Sequence, residues 1–127
     1  MKPEATVFPQ TPPNRSAYDD VLEESGRDAR DREQQALSHG IDLLRKAQAH
    51  GIASEETKEA LVFVRRVWTF LIEDLARAEN GLPESLRAQL ISIGLWVVKE
   101  ADAIRSQHSG DLTQMIAVNV AIRDGLK

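Results

Sequence analysis

The chain contains no cysteine. Disulfides and thiolate chemistry are excluded, and a reducing address such as the cytoplasm is compatible with the composition. A strong positive charge is also missing. The formal net charge is −4 and the pI is near 5.4, which argues against nucleic acid as the main ligand, because phosphate binding calls for a basic face. No apolar run approaches the length of a membrane span. The longest lies between Ile91 and Val98, and Lys99 ends it. Lys2 is not followed by an apolar stretch, so no secretory leader is visible. The catalytic vocabulary is equally thin. His39, His50 and His108 are far apart, none stands in His-Glu-x-x-His or Glu-x-x-His, and no Gly-rich phosphate loop or nucleophile motif occurs. Neither a metal, a cofactor nor an enzymatic activity is expected.

What is present is helix. With 127 residues, 42% of them apolar and 28% charged, the chain has the make-up of one soluble domain that buries about two-thirds of its surface. No segment shows strand periodicity. The expected fold is all-α, a compact bundle of about four main helices near 27–50, 54–79, 83–107 and 111–124, with a short N-terminal helix near 16–23. Residues 1–15 hold four of the five prolines and read as a disordered or extended arm, leaving 16–127 as a single helical domain. Val7-Phe8-Pro9 within the arm could serve as a docking peptide, although a plain terminus explains it as well. Ser16 is placed to cap the short helix, and Tyr18 to pack as a lid on the bundle.

The centre of the design is the antiparallel hairpin 60–104. In its first helix Ala60, Leu61, Val64, Val67, Trp68, Leu71, Ile72 and Leu75 share one face. Lys58, Arg66, Thr69, Glu73 and Arg77 share the other. Asn80-Gly81-Leu82-Pro83 forms the connection, with Gly81 suited to the C′ position and Pro83 to the next first turn. In the second helix Leu86, Leu90, Ile93, Val97, Ala101 and Ile104 make the core stripe. Ahead of the hairpin, Ala29, Ala36, Leu37, Gly40, Leu43, Leu44 and Ala47 share a face rich in small residues, and Gly51 suits a helix end. Ser54 is an N-cap candidate, followed by Glu55 and Glu56. Asp111 with Gln114 resembles a capping box for a last helix carrying Leu112, Met115, Ile116, Asn119, Ile122 and Leu126 inward. Arg65 and Arg66 are expected as solvated residues or in salt bridges to Glu73 and to acids of the first helix.

The hairpin carries more apolar surface than one stripe needs. Ile91, Leu95 and Val98 point away from the core stripe, Trp96 points away on the other side, and Phe63 and Phe70 sit at the edge of a polar face. These six residues are the candidate partner-binding surface, a groove for an amphipathic helix read at i, i+3, i+4 and i+7. Enclosure in the bundle core is the competing explanation.

Several stretches, taken in order, resemble the flagellar biosynthesis regulator FlaF family. They are Tyr18 with Val21-Leu22-Glu23, Arg27-Asp28-Ala29-Arg30-Asp31-Arg32-Glu33 with Ala36-Leu37, and Trp68 to Ala76. Asn80-Gly81-Leu82-Pro83-Glu84 with Leu90 to Val97 follows, then Ile122-Arg123-Asp124-Gly125-Leu126. The resemblance covers about Ser16 to Lys127. It implies a small cytoplasmic protein of flagellated alphaproteobacteria that supports flagellin production and export. It also implies flagellin as partner, with a companion regulator of flagellin synthesis beside it, and it supplies no site residues. Three readings follow: a chaperone-like binder of flagellin, a post-transcriptional regulator acting through flagellin mRNA or the companion, and a homo-oligomer whose spare apolar face meets itself. The mRNA reading depends on Arg27, Arg30 and Arg32, which Glu24, Asp28, Asp31 and Glu33 surround.

Overall fold

The computed structural model describes residues 15–125. The expected arm, Leu126 and the Val7-Phe8-Pro9 peptide lie outside them, as does the side chain of Tyr18. Four helices follow in order: α1 (Arg15–His50), α2 (Glu55–Ala76), α3 (Glu84–Gln107) and α4 (Thr113–Gly125). The expected all-α bundle is what forms. One boundary differs at the start, where the short helix near 16–23 and the helix from 27 are a single α1 that already includes Ser16. No proline stands between Arg15 and His50. Gly26 alone costs a helix only about 1 kcal/mol relative to alanine, too little to break it.

The helix ends are set by local chemistry. Gly51 takes φ +102° after α1, and its amide donates to the Ala47 carbonyl at 2.9 Å. Ser54 caps α2: its Oγ accepts from the Thr57 amide at 3.2 Å, while the Thr57 hydroxyl donates to the Gly51 carbonyl at 2.7 Å. One cluster therefore closes one helix and opens the next. At the far end α2 stops at Ala76, earlier than expected, and Gly81 is not left-handed. Side chains close that end instead. Arg87 from α3 donates to the Leu75 carbonyl at 3.1 Å and to the Leu82 carbonyl at 3.2 Å. Asn80 donates to the Asp74 carbonyl at 3.2 Å and accepts from the Leu82 amide at 3.0 Å. The carbonyls a glycine cap would have satisfied are thus served by an arginine and an asparagine. α3 ends on His108, which adopts the left-handed conformation. Asp111 Oδ1 then accepts from the Thr113 amide at 3.0 Å and hydroxyl at 2.8 Å as α4 begins. These contacts hold the Asp111 carboxyl below its ordinary range, the Thr113 amide being the largest cause.

Short connections make α1 and α2, and α2 and α3, antiparallel neighbours. α2 packs chiefly on α3 and α1, and α4 packs on α1. Two contacts fix α4 antiparallel to α1: Gln48 to the Thr113 hydroxyl at 3.2 Å and Gln34 to the Arg123 carbonyl at 3.2 Å. The core contains Leu37, Ile41, Leu44 and Ala47 from α1, Ala60, Leu61, Val64, Trp68, Leu71 and Leu75 from α2, Val97, Ala101 and Ile104 from α3, and Leu112 and Met115 at α4. Ile41, absent from the sequence-derived face, is fully buried, whereas Leu86 of the expected α3 stripe stays exposed.

Candidate docking surface

The core side of α2 dictates what its other side must present. Trp68 is buried, and its indole N–H donates to Asn119 Oδ1 at 2.8 Å. Asn119 in turn donates to the Met115 carbonyl at 2.7 Å. With its polar atom satisfied, the large ring can sit at the centre of the bundle. α3 crosses this ring at Gly94, where a Cβ would stand 2.8 Å from Trp68 Cε3 and from Ile72 Cγ1. Of the side chains flanking Gly94, Ile93 packs against the core and Leu95 is exposed.

Two ridges stand out. On α2, Val62, Arg66 and Phe70 recur every four residues and all are exposed. On α3, Ile91, Leu95 and Val98 recur at i, i+4 and i+7. Phe70 is 64% exposed and Leu95 57%, the two most open large apolar side chains among the described residues. They stand at the same height on the hairpin, because Gly94 touches residues on either side of Phe70 and Leu95 follows Gly94, but Phe70 lies on the side of α2 turned away from α3. Thr69 lies half-buried between the ridges with its hydroxyl donated to the Arg65 carbonyl at 2.8 Å. Arg65 Nε bridges to Asp102 Oδ1 at 2.8 Å and spans the two helices. The bridge keeps the guanidinium even more firmly protonated than usual. The partner of Arg65 is thus on α3, and the expected pairing with α1 acids or Glu73 is not the one that forms.

The six sequence-derived candidates do not form one patch. Phe70 and Leu95 are exposed and level with each other, and Ile91 is half-buried on the Leu95 side of α3. Val98 shares that ridge but packs against the core cluster, as does Trp96, which projects from α3 in a different direction. Phe63 is two turns from Phe70, half-buried beside α1, with its ring edge-on to His39 at 4.9 Å. It belongs to a second, open groove of about 980 Å³ lined by His39, Leu43, Val62, Phe63, Arg66 and Arg105 together with several carboxylates. Sequence reasoning put Arg66 on the polar face of the hairpin and gave Val62 and Arg105 no place on a surface. The recurrence of Val62, Arg66 and Phe70 at helical spacing was the available signal.

Acid residues also gather where α1 meets the end of α2. Burial raises the Glu33 carboxyl above the ordinary glutamate value, and the nearby Asp74 charge raises it further, against smaller opposing effects of Arg30 and Arg32. Among the described residues no group of three or more His, Asp or Glu could hold a metal ion, and no helix is long and apolar enough to cross a membrane.

Fold and surface together define a small antiparallel helical bundle whose distinctive feature is an apolar outer face on its central hairpin. The model of the family described as flagellar protein FlaF matches residues 14–126. The chain therefore belongs to the FlaF family and is a flagellar protein. No curated protein and no solved structure matches it.

Proposed function

We propose that this protein is a non-enzymatic flagellar assembly factor that acts in the cytoplasm and binds flagellin in a chaperone-like way. The observation that carries the reading is the level pair Phe70 and Leu95, left 64% and 57% exposed on two adjacent helices. A soluble bundle gains nothing in its own stability from such a pair, and exposed apolar patches of this kind serve contact with partners. The Ile91–Leu95 ridge of α3 suits an amphipathic helix that lays apolar residues at i, i+3 or i+4, and i+7 against it, with Phe70 a separate apolar contact on the outer side of α2. Flagellin supplies such helices at its termini. Occupying one would keep the subunit from assembling before export.

The experiment is size-exclusion co-elution of the purified protein with flagellin of the same organism, intact and lacking its terminal helices. A defined complex with intact flagellin, lost on removal of one terminal segment, supports the reading. Absence of a complex with intact flagellin overturns it and returns regulation through mRNA or a companion protein as the leading view.

A further inference from the structure

Glycine at position 81 answers no need of the fold. Among the described residues a Cβ there would meet nothing within 4 Å, the residue is exposed, and its φ is outside the left-handed region. What glycine does supply is an unhindered backbone nitrogen directly after an asparagine. In such a pair the next residue's amide nitrogen can attack the asparagine side-chain carbonyl carbon and close a succinimide ring. The other asparagines precede Arg15 and Val120, whose side chains crowd that approach.

Asn80 is also the residue that seals the end of α2. Its Nδ2 donates to the Asp74 carbonyl and to Asp74 Oδ2, each at 3.2 Å. Its Oδ1 accepts from the Leu82 amide at 3.0 Å. The Leu82 bond draws electron density from Cγ and favours attack on it. The two bonds to Asp74 hold the nitrogen that has to leave, so they oppose the reaction. These bonds sit just past a helix end, where Gly81 and Pro83 are exposed to water, and such ends open locally at low free-energy cost.

We propose that Asn80 is a spontaneous modification site, converted to aspartate and isoaspartate with Gly81 as the attacking residue and Asp74 as the restraint. Hydroxide takes the Gly81 amide proton, and the nitrogen bonds to Asn80 Cγ. The Cγ–Nδ2 bond breaks, and ammonia leaves with a proton from water. A second water opens the ring at either carbonyl. One ammonia is released for one water consumed, and no oxidant or reductant is needed. The product places a carboxylate where Nδ2 donated. Against the Asp74 carbonyl and Oδ2 it sets acceptor against acceptor, at the negative end of the α2 dipole. Isoaspartate also lengthens the backbone ahead of Leu82, whose carbonyl Arg87 holds. The modified chain has a looser join between the two helices that carry Phe70 and Leu95. The inference is independent of flagellin binding.

Peptide mapping by mass spectrometry tests it on the full chain, held for weeks at mildly alkaline pH, folded and in denaturant. In the folded chain acid replaces amide at Asn80, part of it as isoaspartate, while buried Asn119 keeps its amide. Gly81→Ala, at a position open enough to take the methyl group, slows the conversion about tenfold or more. Asp74→Ala releases Nδ2 and raises the folded rate towards that in denaturant. Asn80→Asp, the same acid introduced directly, melts below wild type. A folded chain that keeps the Asn80 amide while the denatured chain loses it overturns the proposal. So does a Gly81→Ala variant that converts as fast as wild type, or a folded Asp74→Ala variant that converts no faster. An Asn80→Asp variant that melts with wild type overturns the loosened join.

Discussion

At the residue scale, Gly94 and the Trp68–Asn119 pair decide how tightly the hairpin closes. A methyl group at position 94 would meet Trp68 Cε3 and Ile72 Cγ1 at 2.8 Å. The isoleucine can rotate, but the indole is held by its hydrogen bond. Gly94→Ala is therefore expected to lower stability by about 1–3 kcal/mol, the usual cost of overpacking, read as a shift in the denaturation midpoint. Asn119→Ala strands the buried Trp68 N–H and should cost about 1–3 kcal/mol. Trp68→Ala should cost about 3–5 kcal/mol, and a near-wild-type melting temperature for it would contradict the burial described. Much of this was legible from periodicity: Trp68 fell on the inner face and Asn119 on the inner face of the last helix. Their mutual hydrogen bond was not, since the two residues are 51 positions apart and nothing local reports which inner polar atom meets which. Gly94 stood in the sequence only as one glycine in an apolar run. Its necessity arises from α2, a partner that helical spacing does not specify.

At the element scale, caps were readable where the chemistry is local and misread where it is supplied from afar. Ser54, Gly51 and Asp111 act within a few residues and were expected to do so, although Asp111 is served by Thr113 and the expected partner Gln114 makes no bond to it among the described residues. Ser54→Ala should cost about 1 kcal/mol, as loss of an N-cap typically does, measurable by thermal melting. The end of α2 depends instead on Arg87, an α3 side chain 12 residues on from Leu75, which is why Gly81 drew an assignment it does not fill. The junction of α1 with the end of α2 carries a pH dependence. Burial, then the Asp74 charge, raises Glu33 in the folded state, so between the ordinary glutamate value and this raised one the folded protein binds more protons than the unfolded chain. Stability contributed there falls as pH rises through that window and stays low above it. Glu33→Gln should be more stable than wild type at neutral pH and should flatten the slope on the acidic side. Chemical denaturation at a series of pH values checks the sign. Asp111 works oppositely: its depressed carboxyl stabilises above the ordinary aspartate value, and the gain is lost as pH falls through its own lower value.

At the scale of the whole molecule, the surplus of apolar residues on the central hairpin posed a question that sequence could frame but not answer. Helical projection found that Ile91, Leu95, Val98, Trp96, Phe63 and Phe70 exceed one stripe. Which of them are covered depends on where α1 and α4 lie, information that no single helix contains. The structure packs Trp96 and Val98 on the core, sets Phe63 beside α1, and leaves Phe70 and Leu95 open. The proposed flagellin contact rests on this open apolar pair. The central claim is that Phe70 and Leu95 face a partner and not the core. The most direct measurement is the melting temperature of Leu95→Lys together with its affinity for flagellin. The account predicts stability within about 0.5 kcal/mol of wild type, as for other surface changes, and loss of the complex. An unfolded variant, or one that binds flagellin as well as wild type does, would contradict it.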